Sequence, residues 1–114
     1  MIIAVFSNKD LDCMIKGREY YLFDTGMATA FIMLRATELG LVAHPIAGYK
    51  EDAVKEILGI PDEMKVITLV IVGKHSETIG ALLTEKQVES ENNRPERLSL
   101  GAFVYVNGFG QQLT

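Results

Sequence analysis

The stretch from Asp24 to Met64 constrains this chain more than any other. Between Asp24 and Leu39 the residues Met27, Ala28, Ala30, Phe31, Ile32, Met33, Leu34, Ala36 and Leu39 leave almost no polar face. They predict a long helix. Asp24 or Thr25 is placed to cap its first amides, and Gly40 to take the left-handed position past its end. A helix that is apolar all round has to be covered all round. A chain of 114 residues has little to spare for that cover. Arg35 and Glu38, three apart, are expected to pair on the narrow polar edge.

A turn is expected at His44-Pro45-Ile46-Ala47-Gly48, followed by a short helix from about Lys50 to Leu58. Ala53, Val54, Ile57 and Leu58 fall on one stripe of that helix, with Glu51, Asp52, Lys55 and Glu56 opposite. Gly59 should end it and Pro61 should prevent a restart. Val66 to Val72 is a continuous, largely β-branched run and predicts the central strand of a sheet. Ile2 to Phe6 predicts a short strand, either buried on both faces or beginning mid-sheet. Asp10 to Arg18 reads as a loop, and Glu19 to Phe23 as the lead into the long helix. The polar stretch from His75 to Pro95 carries one short helical piece around Leu82 to Val88. Ala102 to Val106 predicts a last short strand before a loose tail.

Composition narrows the function classes. Hydrophobic residues make up 48% and charged residues 23%, which is ordinary for a globular domain and excludes a disordered chain. The formal charge is -4 and there is no basic patch, so no nucleic-acid partner is expected. Cys13 is the only cysteine, which rules out an internal disulfide. With no secretory pattern at the start, a cytoplasmic location is expected. The most apolar run, Ala28 to Leu34, is too short to span a bilayer, so no membrane partner is expected. His44 and His75 have no metal-ligand spacing. Cys13 reads as a bystander thiol, and nothing matches a nucleophile triad, a carboxylate pair or a phosphate loop. On their own, Pro45 to Gly48 read as punctuation between helices, and Arg94 and Arg97 as solvated loop charges.

The order of these segments carries more than any one of them. It runs from apolar strand through long apolar helix, Pro-Ile-Ala-Gly, amphipathic helix ending Leu-Gly-Ile-Pro, apolar strand ending in Gly and an arginine-containing loop, to a short terminal strand. Its best-matching parts are Asp24 to Gly26, Ala36 to Gly40, Pro45 to Gly48, Leu58 to Pro61, Ile71 to Gly73 and Arg94 to Leu100. This set resembles the C-terminal half of the nitroreductase family, the flavin-dependent NAD(P)H oxidoreductases.

The resemblance implies an α+β fold with a mixed β-sheet wrapped by helices. It implies an intertwined homodimer with the long apolar helix at its centre and FMN at the interface. Pro45, Ile46, Ala47 and Gly48 match the turn that lies beside the flavin ring in that family, with the main-chain amide at Ala47 directed at flavin N5. Arg94 and Arg97, with Lys74 a third, match the basic residues that reach the flavin phosphate. The implied reaction passes hydride from NAD(P)H to FMN and on to a nitroaromatic or quinone-type acceptor, with no side chain acting as acid or base and no metal. The family's N-terminal Arg-Ser-x-Arg segment has no counterpart here, so residues 1–114 read as a single truncated nitroreductase-like domain. Two alternatives remain at this point: a non-enzymatic dimeric remnant, or one piece of a split flavoprotein.

Overall fold

The structure, a computed structural model, describes residues 1–93 and 95–112. The chain divides into two compact units, Met1–Ser76 and Glu77–Thr114.

The first unit is built on a three-stranded sheet. Strand β1 (Ile2–Ser7), helix α1 (Tyr20–Glu38), strand β4 (Val42–Ile46), helix α2 (Glu51–Leu58) and strand β5 (Lys65–Gly73) are its main elements. A hairpin of β2 (Met14–Ile15) and β3 (Arg18–Glu19) stands between β1 and α1. The sheet order is β1-β5-β4, so the β-branched run of β5 is central as expected. The α+β class holds. Where a mixed sheet was expected, each strand pair among the described residues is antiparallel. β1 lies at an edge of the three-stranded sheet, not in its interior.

The two faces of the sheet collect separate apolar clusters. Val70 and Val72 of β5 meet Ala36 of α1, with Ile3, Val5, Leu41 and Ala43 around them. Ile60, Val66 and Leu69 form the second cluster, joined by Ala4, Ile46, Tyr49, Val54 and Met64. Neighbouring residues of a strand point to opposite faces, which is why Leu69 and Val70 separate. Val66 should by parity follow Val70. A bulge prevents this: Val5 pairs with Thr68 but Phe6 pairs with Val66, skipping Ile67. One extra residue turns Val66 over to the α2 side.

The long helix begins at Tyr20, earlier than Asp24. No side chain caps it. Instead the β2–β3 hairpin delivers the chain, and Tyr20 N–H donates to Cys13 O at 3.2 Å. The hairpin replaces the expected loop. Its two-residue connection, Lys16-Gly17, has φ of 51° and 78°, the positive values that a tight hairpin requires. Thr25 lies inside the helix, where its hydroxyl donates to Tyr21 O at 2.7 Å. The end of the helix is as expected. Gly40 has φ 70°, and Gly40 N–H and Leu41 N–H donate to Thr37 O and Ala36 O at 3.0 and 2.9 Å. That is a Schellman pair. The expected Arg35–Glu38 ion pair forms at 2.9 Å on the exposed side. Only Tyr21, Thr29 and Ala36 of α1 are buried, at a spacing that puts them on one face of the helix. The far side, with Phe23, Met27, Phe31 and Leu34, is exposed.

The second unit holds helix α3 (Glu85–Asn92) and a one-turn 3-10 helix, Leu100–Ala102. α3 starts at Glu85, because Thr84 caps it reciprocally with Gln87. Ala102 to Val106 does not form the expected strand. Among the described residues, ladder pairing there is reduced to one bridge, Tyr105 with Gln112. No helix among the described residues is long and apolar enough to cross a membrane.

Candidate functional site

Pro45 is not in a turn between helices. His44, Pro45 and Ile46 continue β4 and pair with Ile71, Val70 and Leu69 of β5. Proline lacks an N–H and is tolerated in a strand only where no ladder partner needs one. β4 supplies such a place, since it is the edge of the sheet. The sequence Pro-Ile-Ala-Gly is therefore a strand end followed by a short exposed connection.

The main chain is held on both sides of that connection. Thr68 Oγ1 donates to Ile46 O at 2.9 Å. Tyr49 N–H donates to Ala47 O at 3.1 Å. Tyr49 Oη donates to Val66 O at 2.7 Å, and Val66 N–H donates to Glu51 Oε1 at 2.9 Å. Lys55 Nζ lies 3.4 Å from the same carboxylate oxygen and donates to Asp62 O at 3.1 Å. The Val66 N–H, followed by Lys55, holds the Glu51 carboxyl below its usual range. Burial, reinforced by the Glu51 charge, pushes the Tyr49 phenol up and keeps it a donor.

Between these anchors Ala47 and Gly48 are exposed. Among the described residues neither of their N–H groups donates a backbone hydrogen bond. A Cβ placed on Gly48 would meet nothing within 4 Å, and its φ is outside the left-handed region. Neither packing nor backbone conformation within this chain demands glycine there. The connection thus offers a fixed, unpaired main-chain donor beside half-buried Ile46, with open space next to it. That arrangement suits a flat ligand carrying an acceptor atom near its rim.

The remaining predicted residues are less informative. Arg97 is exposed in the Glu77–Thr114 unit. Arg94 lies outside the described residues. Lys74 is exposed directly after β5. No cluster of His, Cys, Asp and Glu among the described residues could hold a metal. Cys13 is exposed, and desolvation together with the Asp12 carboxylate pushes its thiol up, which disfavours the reactive thiolate. Sequence reasoning does not single out Tyr49, Glu51 or Thr68. The position of Tyr49 directly after Gly48 is the available signal, whereas Glu51 reads as one more charge on a solvated helix face.

These elements and their order define a class, and comparison with known proteins agrees with it. The Nitroreductase family model matches residues 1–74. The chain belongs to the nitroreductase family. It is 28% identical over 95 residues to the uncharacterized 15.4 kDa protein in the ask 5′ region of Mycolicibacterium smegmatis, covering 82% of this chain and 62% of that one. A nitroreductase family protein of Clostridium difficile 630 superposes with a TM-score of 0.69 at 26% identity, over 94% of this chain and 59% of that one. One from Clostridium novyi NT gives 0.61 at 25%, over 97% and 52%. A protein described as an oxidoreductase containing FMN gives 0.73 at 24%, over 97% and 56%, and shows the shared fold. The chain therefore spans between 52% and 62% of the length of these relatives.

Proposed function

We propose that this chain is a nitroreductase-like flavoprotein that holds FMN at Pro45, Ile46, Ala47 and Gly48, with Arg94 and Arg97 serving the flavin phosphate. The observation that carries this reading is the unpaired, exposed Ala47 N–H at the end of β4, fixed from both sides. It lies within the residues that match the family model. A ring with an acceptor nitrogen fits that donor, and Gly48 leaves room for close approach. The chemistry supplied by the flavin is hydride transfer from NAD(P)H to a nitroaromatic or quinone-type acceptor. The chain's own part is to hold the ring, present one main-chain donor to it, and contribute an apolar wall through Ile46.

The reading includes a homodimer through the outer face of α1. Phe23, Phe31 and Leu34 are 61%, 68% and 62% exposed there, and Met27 lies on the same stripe. Contiguous apolar surface of this kind marks an interface. The same exposed face also favours a second reading, one piece of a split flavoprotein.

Incubation of the purified chain with excess FMN, followed by desalting, tests the first reading. Retained flavin absorbance and its bleaching by NAD(P)H are the expected results. A colourless chain that leaves flavin fluorescence unchanged would refute it.

A further inference from the structure

The β4–β5 ladder stops at the Ile46–Leu69 pair. β5 continues to Lys65, and on this side its next main-chain groups need partners. Side chains provide them. Val66 is only 3% exposed, yet both its N–H and its C=O are satisfied, by Glu51 Oε1 at 2.9 Å and by Tyr49 Oη at 2.7 Å. These two residues flank Lys50, and Tyr49 directly follows Ala47-Gly48 in sequence. On the other flank, Thr68 Oγ1 holds Ile46 O at 2.9 Å. The chain leaves the sheet for the length of Ala47-Gly48 and is fastened to β5 again through side chains.

We propose that Tyr49 and Glu51 are the positioning residues of the Ala47–Gly48 backbone, acting through the two main-chain polar groups of Val66. Tyr49 is anchored by its ring in the apolar cluster of Ile60, Val66 and Leu69. Glu51 is steadied by Lys55, which is itself tied to Asp62 O. The Tyr49 N–H also holds Ala47 O, so a shift of the ring moves the peptide next to the free donor. That this backbone faces FMN rests on the function proposed above; that Tyr49 and Glu51 fix it does not.

The test compares the full chain with Tyr49→Phe, Glu51→Gln and Ile3→Val. Ile3 belongs to the cluster on the opposite face of the sheet, and its lost methyl serves as a control for general destabilisation. Backbone ¹⁵N order parameters are measured without flavin, and FMN affinity by fluorescence quenching. In the wild type the Ala47 and Gly48 amides should be near the rigid value of about 0.85, and in Tyr49→Phe they should fall toward about 0.6. Glu51→Gln should produce a smaller fall at the same two residues, and Ile3→Val none. FMN dissociation constants should rise about fivefold in Tyr49→Phe, the weight of one hydrogen bond, and stay level in Ile3→Val. Order parameters unchanged in both site variants, or lowered equally in Ile3→Val, would overturn the proposal. If the wild type takes up no FMN while the local fall is seen, the flavin reading fails and the positioning role stands.

Discussion

Tyr49 Oη donates to Val66 O across 2.7 Å, from a residue of the connecting segment to the central strand of the sheet. The acceptor is buried and the phenol is its side-chain partner. Tyr49→Phe keeps the ring in its cluster and leaves that oxygen unpaired. The variant should lose about 1 kcal/mol of stability, measured as a lower urea midpoint with unchanged slope.

Glu51 gives the same contact a pH dependence. Its carboxyl is held low first by the Val66 N–H and then by Lys55. A group whose pKa is lower folded than unfolded stabilises the fold above its ordinary value, about 4.3 for glutamate, and loses that contribution as pH falls through the folded value. Urea midpoints should therefore drop on acidification below that ordinary value. In Glu51→Gln the acid drop should be shallower. An identical acid limb in the variant would show that the carboxylate has no such role.

The outer face of α1 makes a prediction about mass. Phe31→Glu places a charge in the middle of the exposed apolar stripe. Sedimentation should show a dimer for the wild type and a monomer for the variant, with the helical circular dichroism of the two alike. A wild type that is monomeric at micromolar concentration would remove the dimer from the proposed function.

Two helix ends can be tested locally. Gly40 has φ 70° and lets Leu41 N–H reach Ala36 O, so Gly40→Ala should cost about 1 kcal/mol. Thr84 and Gln87 cap α3 in both directions. Thr84→Ala should cost about 1 kcal/mol locally, seen as faster hydrogen exchange at Val88, whose N–H donates to Thr84 O.

How much the sequence disclosed depended on what kind of force placed each segment. β5 was legible because burial on both faces demands a largely apolar, β-branched run, and Val66 to Val72 supply one, with Thr68 its single polar residue. Gly40 and Gly59 were legible because a left-handed residue has a strong glycine preference, and both have positive φ. The start of α1 was not, because a hairpin outside the helix set it and no capping side chain did. Pro45 misled for a physical reason. Proline and glycine suggest a turn, but an edge strand accepts proline, and only the sheet order reveals which strand is the edge. Ala102 to Val106 has strand-forming residues, yet strand propensity requires a neighbour to pair with. The proposed site residues Pro45 to Gly48 were singled out through the order of the motifs. Tyr49 and Glu51 became visible only once the end of the β4–β5 ladder at Ile46 was known.

Gly48 is a position in the proposed site where the protein itself has no stake in the residue. An added methyl would touch nothing within 4 Å and would meet no forbidden φ. Gly48→Ala is therefore a question put to the surroundings alone. A variant that folds with wild-type stability and still loses its ligand would mean that the empty space beside this backbone is reserved for a visitor.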